Sequence, residues 1–123
     1  MPTYDDQNIF ARILRGEIPN DTVAETDHTL AFNDITPQAP VHVLAIPKGA
    51  YVDYADFHAR APEAEIADFH RTCAAICADR GLTENGFRAI TNAGAHGVQE
   101  VPHFHLHLIG GRPLGRMLAR PEA

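Results

Sequence analysis

The sequence predicts an α+β domain on an antiparallel sheet of about five strands, with a short N-terminal helix and one long helix. Three observations carry this. Predicted elements run helix, three strands, helix, two strands, without the strict strand–helix alternation of parallel sheets. A turn at Asp27-His28 joins two short strands into a hairpin. Between Pro62 and Gly81 apolar residues recur at three-and-four spacing, the pattern of a helix with one buried face.

Taken in order, Asn8 caps a helix over Ile9–Arg15 that turns Ile9, Phe10, Ile13 and Leu14 to one side, and Gly16 stops it. Strands follow at Thr22–Thr26 and Leu30–Asp34, then the loop Thr36–Pro40. Val41–Ile46 reads as a buried strand closed by Pro47-Lys48-Gly49. Ala50–Arg60 fits a short helix or an irregular loop equally well. Pro62 suits the first position of the long helix, whose Ile66, Phe69, Cys73, Ile76 and Cys77 form its apolar stripe. Phe87–Asn92 and His103–Ile109 are the last two strands, joined by the glycine-bearing loop Asn92–Gly97.

At 123 residues the chain is read as a single domain, 1–123, with no repeat or linker. Its formal charge of −6, with no basic run, argues against a partner that must be coated phosphate by phosphate, so no long nucleic acid is expected. No stretch reaches the ~20 apolar residues that cross a bilayer, so no membrane association is expected. The acidic start shows neither a basic n-region nor an apolar h-region, so secretion is not expected. Two cysteines make no disulfide framework, and a cytoplasmic location is the simplest expectation. Cys73 and Cys77 read as small buried hydrophobes.

The segment that carries chemistry is His103-Phe-His105-Leu-His107-Leu-Ile109. On a strand the three imidazoles share one face while Phe104, Leu106 and Leu108 share the other. Three imidazoles on one face are expected to converge on a phosphate-sized anion. A neutral ring can attack phosphorus, and neighbouring rings can donate to the phosphoryl oxygens. Spacing alone leaves two other readings open: a metal site, and a solvated row of histidines on a half-buried strand.

His-φ-His-φ-His-φ-φ, with φ apolar, is the histidine-triad pattern. The chain resembles the histidine-triad nucleotide-binding proteins in three segments in order, namely Asn8–Pro19, Phe32–His42 with Ile46-Pro-Lys48, and the triad through Gly110-Gly-Arg112. That resemblance implies a histidine-triad fold and hydrolysis of purine nucleoside 5′-phosphoramidates to nucleoside monophosphate and amine. By resemblance His105 is the nucleophile and His103 orients it. His107 and His42 contact the α-phosphate, with support from Asn92, and Asp34 holds the ribose. Phe10, Ile13, Ile18, Phe32 and Leu44 match positions around the base pocket, though core packing explains them equally. Gln99, in the loop feeding the triad, is expected to hold phosphoryl oxygens with nearby backbone amides.

The resemblance further implies a homodimer paired through the long helix and the strand after it. No cofactor is expected, and no metal: the cysteine pair that some members carry near the first helix is absent at Asn8–Ala11. Some members have serine at the position of Glu100 and glycine at that of Val98, which leaves the acid for the leaving amine open. The tail Leu114–Ala123 matches poorly. Two rival activities share the scaffold, dinucleoside polyphosphate hydrolysis and nucleotide binding without turnover.

Overall fold

In the computed structural model, which describes residues 3–120, the first helix begins just after Asn8, whose own backbone is extended. The Asn8 side chain accepts from Ala11 N at 2.9 Å, satisfying one of the helix's free amides. This helix, α1 (Ile9–Leu14), is followed by β1 (Thr22–Glu25), β2 (Thr29–Asn33) and β3 (Val41–Pro47). Next come α2 (Tyr54–Arg60), α3 (Glu63–Asp79), the single turn α4 (Leu82–Asn85), β4 (Phe87–Ile90) and β5 (Leu106–Gly110). The strands form one sheet in the order β1-β2-β3-β5-β4, antiparallel at every pairing.

The undecided stretch before Arg60 resolves as a loop followed by α2. Asp53 caps that helix by accepting from Asp56 N at 2.9 Å, and the buried Asp56 carboxylate pairs with Arg60 at 2.5 Å. Pro62 stands one position earlier than expected, as the cap residue of α3. The turn α4 was not anticipated. Its Leu82 is buried and joins the core beside α3, a tertiary reward that four residues of local pattern do not reveal.

Alternation along β3 divides the sheet's two faces. Ala31, Val43, Ala45 and Leu108 point toward α2 and α3, packing with Phe57, Phe69, Cys73, Ile76, Cys77 and Phe104. Leu30, Phe32, Leu44 and Ile46 point the other way and pack under α1 with Phe10 and Ile13. His42 lies on this second face, two residues from Leu44. Leu44 pairs in register with His107, so the topology brings two histidines 65 residues apart onto neighbouring strands. Among the described residues no helix is long and apolar enough to cross a membrane.

The last strand is shorter than the alternation predicts. Regular pairing begins at Leu106, so only His107 of the three histidines lies within β5. The preceding backbone leaves the ladder: Phe104 N donates to Tyr51 O at 2.8 Å, and His105 O accepts from the Thr91 hydroxyl at 2.8 Å. The two-residue alternation survives without the ladder, with Phe104 against Phe57 and Phe69 and His105 against Phe10.

Candidate active site

Each triad ring has an unambiguous backbone partner or neighbour that fixes where its hydrogen sits. His105 Nδ1 lies 2.7 Å from His103 O. A carbonyl only accepts, so Nδ1 donates and Nε2 keeps a free lone pair. Burial holds the His105 pKa below its ordinary value, against the carbonyl and the Asp34 and Glu100 charges, which raise it. The ring is therefore neutral near pH 7, as a nitrogen nucleophile must be. Phe10 stands edge-on to it, centroids 5.0 Å apart, and restricts the rotation of the ring.

His42 and His107 form a second unit. Gln38 N donates to His42 Nδ1 at 3.1 Å, so the His42 hydrogen sits on Nε2. That nitrogen faces His107 Nδ1 at 2.9 Å and Asp34 Oδ2 at 3.3 Å. His107 Nδ1 then accepts, and its own hydrogen sits on Nε2. A chain of two hydrogen bonds thus runs from a loop amide to His107 and presents an N–H donor beside His105, the two ring centroids being 5.2 Å apart. Burial, with the neighbouring His105 and His42, pushes His107 down to about 4, so it donates as a neutral ring.

His103 is placed differently from the sequence expectation of three converging rings. It is fully buried, and both its nitrogens are engaged. Nε2 donates to Pro47 O at 2.9 Å, and Nδ1 accepts from the Tyr4 hydroxyl at 2.6 Å. Desolvation holds its pKa down to about 4. No nitrogen of His103 is left for an anion. It orients His105 through its backbone carbonyl, while its ring is a buried strut.

Asp34 accepts from Thr36 N through Oδ1 at 2.8 Å and approaches His42 through Oδ2. A carboxylate has about four acceptor positions, so room for hydroxyl donors remains. Asn92 is half-buried just past β4, next to Thr91, whose hydroxyl holds His105 O. Gln99 departs from its expected role. Both its amide hydrogens are engaged, with Val52 O at 2.7 Å and Val101 O at 3.0 Å, and its Oε1 accepts from Gly94 N at 3.1 Å. It closes the loop on itself, and a phosphate contact requires breaking those bonds.

Of the expected base-pocket residues, Phe10, Ile13, Phe32 and Leu44 do gather in one cluster, with Ile18 half-buried at its margin. Each of the four is less than a tenth exposed, so they form a closed wall that packs α1 onto the sheet. A cleft of about 650 Å³ lies elsewhere, lined by Leu82, Phe87, Arg88 and Arg112 among others. Glu100 is exposed, and Val98 holds φ +56°, the left-handed backbone that favours glycine. Gly97 is required for a different reason, since a Cβ there would lie 2.5 Å from Ala93 O.

Asp34, His42 and His107 bring three potential metal-ligand atoms within 4.8 Å of one another. The tautomers disfavour that use. A metal-bound histidine normally donates its other ring N–H to an acceptor, whereas the other nitrogen of His42 accepts from Gln38 N. Its site-facing nitrogen carries the hydrogen and has no lone pair to give. Sequence reasoning missed Tyr4, Thr91 and the carbonyl of Pro47, which hold the histidines in place. Tyr4 is 99 residues from its partner, and no local pattern signals that contact.

Comparison with known proteins places this geometry. A model described as the HIT domain matches residues 15–114. An uncharacterised 13.2 kDa HIT-like protein of Azospirillum brasilense is 56% identical over 96% of this chain and 97% of its own length. A purine nucleoside phosphoramidase of Escherichia coli is 45% identical over 93% of this chain and 95% of its own. Among solved structures, a histidine triad protein from Clostridium difficile superposes with a TM-score of 0.81 at 37% identity, covering 94% of this chain and all of that one.

Proposed function

This chain belongs to the HIT domain family, and on that premise we propose that it hydrolyses purine nucleoside 5′-phosphoramidates. One observation carries the reading: His105 Nδ1 is tied to the His103 carbonyl, so its neutral Nε2 is a lone pair held beside the His107 donor. Kinship with a purine nucleoside phosphoramidase supports the substrate class.

His105 Nε2 attacks the α-phosphorus. The P–N bond to the amine breaks as the N–P bond to His105 forms, and the amine departs with a proton drawn from solvent, which the attacking water returns in the second step. His107 donates to a phosphoryl oxygen, its orientation set by His42, while Asp34 accepts from the ribose hydroxyls and Asn92 supports the phosphate from the loop. Water then attacks the nucleotidyl-histidine, releasing the monophosphate and restoring neutral His105. Positioning and charge stabilisation supply most of the rate in phosphoryl chemistry, and His105, His107, His42 and Asp34 are each held by a partner the chain itself provides.

The test is release of AMP from adenosine 5′-phosphoramidate in excess chelator. The wild type should turn over and His105→Ala should lose about 10³-fold or more, the scale of removing a nucleophile that acts as part of a unit. A folded wild type that binds AMP without turnover makes this a binding protein. Activity on dinucleoside polyphosphates alone moves it to the rival hydrolase class. A wild-type activity lost to the chelator revives the metal reading.

The working form we infer is a cytoplasmic homodimer, paired through α3 and β4. β4 is an edge of the sheet, with one row of backbone groups unpaired, and Phe87 on it is 40% exposed. Exposed edges invite pairing with another strand. Sedimentation should give about twice the 13.4 kDa chain mass; a monomer at micromolar concentration rejects the pairing.

A further inference from the structure

Gly110-Gly111-Arg112 follows the triad and is among the segments that carry the resemblance, yet the reaction above gives Arg112 no part. Its guanidinium is tied to two carbonyls. Nη1 donates to Pro113 O at 2.9 Å and Nη2 to Gln38 O at 3.0 Å. Gln38 lies 74 residues earlier, in the loop between β2 and β3. Its own amide is the one that donates to His42 Nδ1 at 3.1 Å. Both backbone polar groups of Gln38 are therefore engaged, the carbonyl by Arg112 and the amide by the histidine relay.

The loop that carries Gln38 is built to transmit a displacement from one of these groups to the other. Asp34 N donates to His42 O at 2.9 Å and closes its base. Pro37 and Pro40 flank Gln38 and Ala39, and a proline ring fixes φ. The end of β5 comes close against this stiff segment. Gly111 holds a left-handed backbone at φ +97°, and a Cβ there would lie 2.9 Å from Pro40 Cβ. That close approach sets the Arg112 side chain within reach of Gln38 O.

We infer that Arg112 is a positioning residue for the proposed hydrolysis, holding the Gln38 amide on His42 and so keeping His107 a donor. The inference rests on that reading of the site. With the Gln38 amide in place, His42 and His107 each carry their hydrogen on Nε2. Without it, His42 Nδ1 is free to carry the hydrogen, each ring staying neutral. His42 Nε2 then accepts from His107 Nδ1, and His107 turns a lone pair toward the phosphoryl oxygens. Asp34 Oδ2, 3.3 Å from His42 Nε2, favours the first arrangement as well, so losing Arg112 shifts the balance without abolishing it. Arg112 and Gln38 are both exposed, so water replaces the lost hydrogen bond at little cost to stability. Water does not restore the geometry.

The experiment compares the wild type with Arg112→Met, which keeps an unbranched side chain and removes its donors. AMP release is read beside nitrogen magnetic resonance of protein carrying isotope-labelled histidine, in which a ring nitrogen bearing hydrogen and one bearing a lone pair resonate far apart. The His42 signals are assigned by their absence from His42→Gln. In the wild type they should show one tautomer, with hydrogen on Nε2. In Arg112→Met both should move toward the average of two exchanging tautomers, while circular dichroism confirms the fold. There kcat should fall about 10-fold, short of the roughly 10²–10³ that deleting a donor costs, with KM changed less than about twofold. Unmoved His42 signals overturn the inference whatever happens to kcat, and moved signals with wild-type kcat overturn it too. If the wild type itself does not turn over, the reaction assigned above fails, and the spectra still accept or reject the hold of Arg112 on His42.

Discussion

A histidine's chemistry depends on which nitrogen carries its hydrogen, and in this chain backbone groups decide it. Three carbonyls, those of His103, Pro47 and Tyr54, force a donor at His105, His103 and His58. One amide, that of Gln38, forces an acceptor at His42. Under the proposed reaction they make His105 the nucleophile, His103 a buried strut and His42 a relay to His107. The strut makes a sharp prediction. Tyr4→Phe removes the one donor to His103 Nδ1 and leaves a buried acceptor unmet, a loss of about 1–3 kcal/mol. Urea unfolding should show a lower midpoint with unchanged m, since the surface exposed on unfolding is the same. An unchanged midpoint means that the Tyr4 hydroxyl contributes nothing to holding His103.

At the scale of elements, the parts legible in the sequence are those governed by local rules. Asn8 capping α1, the turn before Leu30, and the stripe on α3 each rest on spacings of a few residues, and each stands in the structure where it was expected. What failed to show was governed by distant partners. The alternation of His103–Ile109 predicts a strand throughout, but a strand exists only where a neighbour pairs with it. Tyr51 and Thr91 take the backbone bonds of residues 104 and 105 instead. Gln99 misled for a related reason: glutamine beside a triad suggests a donor for phosphate, and only the fold reveals that Val52 and Val101 already accept both hydrogens. His42 and Asp34 alone have ordinary local explanations. The resemblance singled them out, and the β3–β5 register now supplies a physical reason by setting His42 beside His107.

For the whole molecule, burying neutral histidines ties stability to pH. His103 and His107 are each held down to about 4, and His105 and His70 also lie below the usual value. In the unfolded chain these rings take up protons near pH 6.5. Between pH 6.5 and about 4 the unfolded state therefore binds more protons than the folded one, and stability falls as pH falls through that window. Below about 4 the folded rings protonate as well and the loss levels off. His103, the most deeply buried, accounts for roughly 2 kcal/mol between pH 7 and pH 5, a large part of the 5–15 kcal/mol typical of a domain. Asp56 and Asp68, paired with Arg60 and with two threonine hydroxyls and so held below the usual carboxylate value, add their losses only at lower pH. The unfolding midpoint in urea should thus decline steadily from pH 7 to pH 5, before carboxylates titrate. A flat profile over that interval would show that the triad rings protonate as readily in the fold as out of it, and the neutral nucleophile assigned to His105 would lose its basis.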